Sequence, residues 1–141
     1  MVLDTAYAVD VRTWSAMMNR PIVLVLSLTG LIMGLITSLV GIAAIEAYVW
    51  TVFYVAWVVI VTQRGVEKPF VTIMAASMIG AVLTGVSQML LFESYMANNP
   101  AYAEQMADAK SWQTVPVALV MGAVFGAVFG GIAAGIRKFR S

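Results

Sequence analysis

Two polar side chains in apolar parts of the chain are of types that could do chemistry. Glu46 is the one charged residue between Pro21 and Val61, and Gln88 lies in a stretch, residues 70–92, that holds no charge. A carboxylate next to lipid is costly and commonly marks an ion or substrate pathway. An amide at that depth forms hydrogen bonds between helices. Both are candidates for ion or substrate contact, although a solvated helix end is the plainer explanation of Glu46.

The residue types that are missing exclude most other chemistry. The chain has no cysteine and no histidine. These absences rule out disulfides, thiolate metal sites, cysteine nucleophiles and imidazole as a base or ligand. No phosphate-binding loop and no Gly-x-Ser-x-Gly motif occurs, and a net charge of +1 gives no electrostatic case for nucleic-acid binding. We therefore expect no enzymatic activity, no cofactor and no metal.

The elements that carry Glu46 and Gln88 are predicted to be membrane-spanning helices. Of 141 residues, 62% are hydrophobic and 11% are charged, whereas a soluble domain has about 25% charged residues. One span needs roughly 20 apolar residues. Residues 21–61 are too long for one helix, and a hairpin that turns near Gly41 is favoured over a single tilted helix. The sequence predicts an all-α integral membrane protein, a four-helix bundle with spans at residues 21–40, 44–62, 70–92 and 114–136.

The distribution of basic residues predicts the orientation. With four spans, the two termini and the second loop share one side of the membrane. That side holds seven of the eight Lys and Arg residues, namely Arg12, Arg20, Arg64, Lys68, Arg137, Lys138 and Arg140. Lys110 alone lies opposite. Loops rich in Lys and Arg stay in the cytoplasm, so both termini are predicted to be cytoplasmic.

Two segments outside the spans are predicted to have their own structure. Asn99 followed by Pro100 is typical of a helix start, and a short helix in the outer loop is expected over Pro100–Lys110 with Asn99 as its cap. Residues 1–20 form either a tail or an interfacial helix, and residues 21–141 form the single transmembrane domain.

Small residues recur at four-residue spacing in three of the spans. Such stripes let helix backbones approach closely in lipid. They predict packing within one bundle, or alternatively a dimer or partner interface formed by the fourth span. The residues concerned are Gly30, Gly34, Gly80, Gly122, Gly126 and Gly130.

The layout from residue 20 to residue 141 resembles an uncharacterised bacterial family of four-span membrane proteins, domain of unknown function 4199. The matching pieces are a Gly-rich first span around Gly30–Gly34, the Arg64-Gly65 loop, an Asn99-Pro100-Ala101-Tyr102 segment, and a Gly-rich last span that ends in basic residues. The resemblance implies a multi-pass protein of the bacterial cytoplasmic membrane, in contact with membrane lipid. The family has no established activity, so no site residue is carried over.

Two functions fit these features. The first is an accessory, scaffold or assembly subunit that packs through Gly-rich helices on a second copy of itself or on a larger membrane complex. The alternative is a small transporter or channel, acting as a monomer or a dimer, in which Glu46 couples ion and substrate. The abundance of packing surface without chemistry favours the first.

Overall fold

The computed structural model describes residues 19–140, and over that range every element is helical. The expectations for residues 1–18 therefore fall outside the described residues. The elements are α1 (Arg20–Val40), α2 (Glu46–Gln63), α3 (Pro69–Leu90), α4 (Phe92–Asn98), α5 (Pro100–Gln105), a 3-10 turn (Ser111–Gln113) and α6 (Thr114–Arg140).

Four of these helices, α1, α2, α3 and α6, are long and apolar enough to cross a membrane. This confirms the predicted all-helical class and the number of spanning segments. The bounds differ by a few residues, since α2 begins at Glu46 rather than at residue 44 and α6 continues to Arg140. Many of their large apolar side chains are exposed, among them Val25 at 66% and Val120 at 63%. Soluble monomers rarely expose apolar surface on this scale, which identifies the chain as a membrane protein.

Glycine and proline set the ends of the long helices. Gly41 follows α1 with a φ of 83°, the left-handed conformation that glycine adopts without strain and that commonly ends a helix. Gly65, with a φ of 62°, follows α2. Pro69 is the first residue of α3, a position where its missing N–H costs nothing. The turns at residues 41–45 and 64–68 are therefore encoded locally.

α3 lies between α1 and α6 and packs closely against both through small residues. Gly30 of α1 faces Gly80 of α3 so closely that an added Cβ would collide with the Gly80 backbone. Gly34 lies against Thr84 and Ser87 of α3. These approaches replace side-chain packing with backbone contact, as small-residue stripes do in membranes.

The glycine stripe of α6 faces α3 in the same way. A Cβ at Gly122 would lie 2.6 Å from the Ala81 side chain, and one at Gly130 would lie 3.1 Å from the Phe70 ring. Gly126 meets Ser77 and Met74. The six stripe glycines are thus all placed in contacts within the chain.

α2 packs less closely than the other three long helices, and mainly along one half of its length. Its buried residues are Tyr54, at its midpoint, and Trp57, Val58 and Val61 beyond it. Trp57 is 1% exposed, so its side chain faces protein. We call the end of the molecule with residues 41–45 and 91–113 the loop end, and the end with residues 64–68 and 137–140 the basic end. The second half of α2 packs toward the basic end.

The loop end differs from the expected single short helix. α3 stops at Leu90, and α4 and α5 follow as two short helices, so the expected helix over Pro100–Lys110 ends at Gln105. α5 does begin at Pro100, but the Asn99 side chain forms no capping hydrogen bond. That part of the prediction is wrong because the Asn99 amide is engaged by α1 and α4 instead.

Candidate functional site

A cavity of about 330 Å³ lies at the loop end, between α2, α3 and α6 and beneath α4 and α5. This volume is at the lower end of the range of about 300–1,000 Å³ that is usual for small-molecule sites. The cavity lies beside the part of α2 before Tyr54, in which no residue is fully buried.

One face of α2 forms the side of the cavity that carries charge. Glu46, Trp50 and Tyr54 all line it, and their four-residue spacing places them on one side of a helix. At 1.5 Å per residue, Tyr54 lies about 12 Å along the helix axis from Glu46. The carboxylate therefore sits near the loop end and the phenol at the depth of the membrane-spanning helices.

Glu46 accepts hydrogen bonds from two neutral donors. Its Oε1 lies 3.3 Å from Trp50 Nε1 and 3.5 Å from Gln88 Nε2. The structure thus brings together the two residues that the sequence singled out separately. Gln88 is 7% exposed and faces protein. Glu46 is also the first residue of α2, where the helix dipole favours a negative charge.

No basic side chain compensates this carboxylate inside the cavity. Among the described residues that line it, Glu46 is the one charged group, and neither Lys nor Arg is present. An uncompensated charge in an apolar, half-enclosed site is costly unless a partner of opposite charge binds it. Glu46 therefore remains a candidate for ligand contact, with hydrogen bonds from Trp50 and Gln88 as its contacts in the structure.

A hydrogen-bonded pair closes the deep end of the cavity. The Tyr54 hydroxyl donates to Ser77 Oγ, which in turn donates to the Gly122 carbonyl over 2.6 Å. The Tyr54 ring lies 5.1 Å from Phe129 and 5.3 Å from Phe125, centroid to centroid. This aromatic layer separates the cavity from the packed core toward the basic end.

The threonine hydroxyls in the cavity wall bind backbone carbonyls. Thr84 Oγ1 donates to the carbonyls of Gly30 and Gly80, at 2.8 and 2.9 Å. Thr114 Oγ1 lies 2.9 Å from the Gly85 carbonyl. A ligand would therefore meet few free donors on this wall, and Glu46 with Gln88 remains its main polar contact.

Tyr95 and Tyr102 cover the cavity from the short helices α4 and α5. Tyr95 is buried, and burial raises the pKa of Tyr95 to about 12, with the negative charges of Glu46 and of an ionised Tyr102 adding to the effect. The Tyr95 hydroxyl is thus a neutral donor at physiological pH. It belongs to a segment that lies outside the membrane-spanning helices.

The Asn99 side chain attaches this covering segment to α1. It donates to the carbonyls of Thr37 and Tyr95, at 2.9 and 2.7 Å, and accepts from the Ala43 amide at 2.9 Å. Asn99 is 5% exposed. All three bonds are buried, so the amide fixes the loop end over the cavity.

The cavity opens sideways between α2 and α6. Val117 and Met121 of α6 line it and are also 59% and 49% exposed on the outer surface. Ala47 of α2 lines it from the other side and is exposed as well. Since the surrounding surface is apolar, the opening leads toward the surface that lipid covers in a membrane protein.

No group of three or more Asp and Glu side chains lies together within residues 19–140. The sequence indicated Glu46 and Gln88 as contact candidates, but it gave no site role to Tyr54 or Ser77 and assigned Asn99 to a helix cap. The spacing of Glu46, Trp50 and Tyr54 was an available signal for Tyr54, whereas nothing in the sequence indicated the role of Ser77.

Comparisons with protein-family models, with curated proteins and with solved structures give no match to this chain. The resemblance over residues 20–141 therefore stays a prediction, and the chemistry of the cavity is the basis for any functional proposal.

Proposed function

We propose that this chain is a small multi-pass transporter that binds its substrate in the loop-end cavity, with Glu46 as the charged contact. The observation that carries the proposal is the position of Glu46, which faces a cavity of about 330 Å³ that holds no basic side chain among its described lining residues. Glu46 is the first residue of a helix long enough to span a membrane, and carboxylates on such helices that face a cavity are typical of substrate and ion pathways. The closed layer formed by Tyr54 and Ser77 favours a carrier over an open channel.

The proposed orientation places the cavity on the outer side of a bacterial cytoplasmic membrane. Basic residues concentrate at the basic end, and the loop end carries Lys110. By the excess of Lys and Arg in cytoplasmic loops, both termini are cytoplasmic. The resemblance to the four-span bacterial family supports the choice of membrane.

The test is uptake by reconstituted protein. The full chain is reconstituted into liposomes, and uptake is measured for three panels of solutes. The panels are matched in size and are cationic, neutral and anionic. At least one panel is expected to cross in a protein-dependent manner, and Glu46→Gln is expected to lower its initial rate at least tenfold. Glu67→Gln serves as the matched control, because Glu67 is exposed in the turn at the basic end. Absence of protein-dependent uptake in all three panels would refute the transporter.

An accessory or assembly subunit is the second candidate, and two other glycines support it. Gly131 and Gly135 of α6 have open space where a Cβ would lie, and their four-residue spacing suits close helix association. The six glycines of the predicted stripes pack against other helices of the same chain, so they give this candidate no support. If it is right, the particle extracted in mild detergent is a dimer or a complex. The double variant Gly131→Leu, Gly135→Leu is then expected to convert the particle to a monomer. Val128→Leu, at another exposed position of α6, is the control and is expected to leave the particle unchanged.

A further inference from the structure

We infer that the ligand of the loop-end cavity is an amphiphilic organic cation, with one positive charge on an aromatic or branched apolar body. The inference deepens the proposed function and rests on its premise that the cavity is the substrate site. Three independent features of the cavity carry it: its charge, its aromatic lining near Glu46 and its apolar opening.

The charge of the cavity selects against anions. Glu46 is the one charged group among the described lining residues, and its hydrogen-bond donors, Trp50 and Gln88, are neutral. An anion would meet a like charge in a site of low dielectric constant, whereas a cation would be attracted there more strongly than in water. Glu46 is therefore expected to pair with a positive group.

The aromatic lining near Glu46 favours an organic cation over a metal ion. Trp50 lines the cavity one helical turn from Glu46, and Tyr95 and Tyr102 line it from α4 and α5. Aromatic faces attract alkylammonium and similar groups within about 6 Å of the ring centre. A hard metal ion needs about six oxygen ligands or more. The Thr84 and Thr114 hydroxyls already donate to backbone carbonyls, and the remaining lining is largely apolar.

The apolar opening is the reason to infer that the cation also has an apolar part. Ala47 on α2 and Val117 and Met121 on α6 line the cavity at its sideways opening. Phe125 lies deeper, against the Tyr54 ring. A molecule that partitions into lipid can reach this opening without crossing a polar barrier, and its apolar part then replaces lipid or water against these side chains. The head group is left at the loop end, next to Glu46.

Two ions of the same shape and opposite charge test the inference. Tetraphenylphosphonium and tetraphenylborate are compared by equilibrium dialysis against the purified full chain in detergent, with protein-free micelles as the background. Tetraphenylphosphonium is expected to bind at least tenfold more tightly than tetraphenylborate. Glu46→Gln is expected to weaken cation binding at least tenfold and to leave borate binding equal or stronger. Glu93→Gln, exposed at the same end of the molecule, is expected to change neither.

A second variant keeps the test valid if Glu46→Gln does not fold. Ala47→Trp places a large side chain at the exposed opening while Glu46 stays intact, and it is expected to abolish cation binding without altering thermal stability. Equal binding of the two ions, or cation binding that survives both variants, would overturn the inference.

The uptake experiment separates this inference from the proposed function. If tetraphenylphosphonium fails to bind but another solute panel crosses in a Glu46-dependent manner, the ligand class is wrong and the transporter stands. If the cation binds through Glu46 but no panel crosses, the binding site stands and the transporter is wrong.

Discussion

The side-chain amide of Asn99 lies 2.9 Å from the backbone carbonyl of Thr37, although 62 positions separate the two residues in the chain. Through this bond the segment after α3 is tied to the last turn of α1. The same amide accepts from Ala43 in the turn before α2, so one side chain joins three parts of the loop end.

Loss of the Asn99 side chain is expected to destabilise the protein markedly. Asn99→Ala leaves the Ala43 amide and the Thr37 carbonyl buried without this partner, and such orphaned groups cost about 1–3 kcal/mol each. Asn98→Ala is the control, since Asn98 is exposed and its bonds to Ser38 and Leu39 lie partly in solvent. Thermal unfolding in detergent, followed by circular dichroism, measures both. Equal melting temperatures would contradict the role given to Asn99.

Replacement of glycine by alanine is expected to destabilise the protein where the glycine is closely packed and not where it faces open space. Gly30→Ala forces α1 and α3 apart at Gly80, and overpacking of this sort costs about 1–3 kcal/mol. Gly131→Ala meets nothing within 4 Å and is expected to be neutral or slightly stabilising, because alanine favours helix more than glycine does. Thermal unfolding of the two variants side by side gives the answer. A neutral Gly30→Ala would show that α1 and α3 lie further apart.

The pair Tyr54 and Ser77 is expected to behave as a coupled unit. Tyr54→Phe leaves the Ser77 bond to Gly122 intact and is expected to cost about 1 kcal/mol. Ser77→Ala leaves the buried Tyr54 hydroxyl unpaired and is expected to cost about 1–3 kcal/mol. Once Ser77 is alanine, Tyr54→Phe costs little. A double-mutant cycle on unfolding free energies measures this coupling, and strict additivity would contradict the hydrogen bond.

The phenol of Tyr95 is expected to lose its proton at a higher pH than an ordinary tyrosine does. Its pKa is about 12 in the folded protein, against about 10 for an ordinary tyrosine. Because the folded pKa is the higher one, the stability associated with neutral Tyr95 is complete below about pH 10 and is lost as the pH rises toward 12. The absorbance of wild type minus Tyr95→Phe, recorded near 295 nm during titration, isolates this group. A midpoint near pH 10 would show that Tyr95 is solvated.

Single cysteines are expected to report the proposed orientation directly, because the chain has none of its own. In intact cells a membrane-impermeant maleimide is expected to label Lys110→Cys at the loop end and to leave Arg64→Cys unlabelled until the cells are opened. The reverse pattern would place both termini outside, and the cavity would then face the cytoplasm.

The number and class of the helices could be predicted from sequence because they depend on local properties. Apolar length identifies a spanning segment without any knowledge of its neighbours, and Gly41, Gly65 and Pro69 act on their own turns. The close approach of Gly30 to Gly80 could be predicted only in part. A small-residue stripe shows that something approaches closely, but it does not identify the helix that does so.

The cavity could not be predicted in this way because it is a property of helix placement. Glu46 was a candidate from its charge alone, yet its contact with Gln88 depends on how α2 leans against α3. Asn99 was expected to cap α5 because Asn before Pro is a common helix start. The Thr37 carbonyl at the end of α1, the Ala43 amide in the turn after it and the Tyr95 carbonyl of α4 offered Asn99 three buried bonds instead. Tertiary contact prevailed over the local signal.

The length of α2 ties the cavity to the thickness of the bilayer. With 18 residues, α2 is about 27 Å long at 1.5 Å per residue, somewhat less than the hydrocarbon core of about 30 Å. A helix shorter than the hydrocarbon core is accommodated by thinning of the bilayer around it, whereas a helix longer than the core tilts. Because α2 is held mainly near Val61, a tilt of about 5° there moves Glu46 by about 2 Å at the far end. Lipid composition would therefore set the width of the cavity, with thicker membranes drawing α2 upright and thinner ones letting it lean.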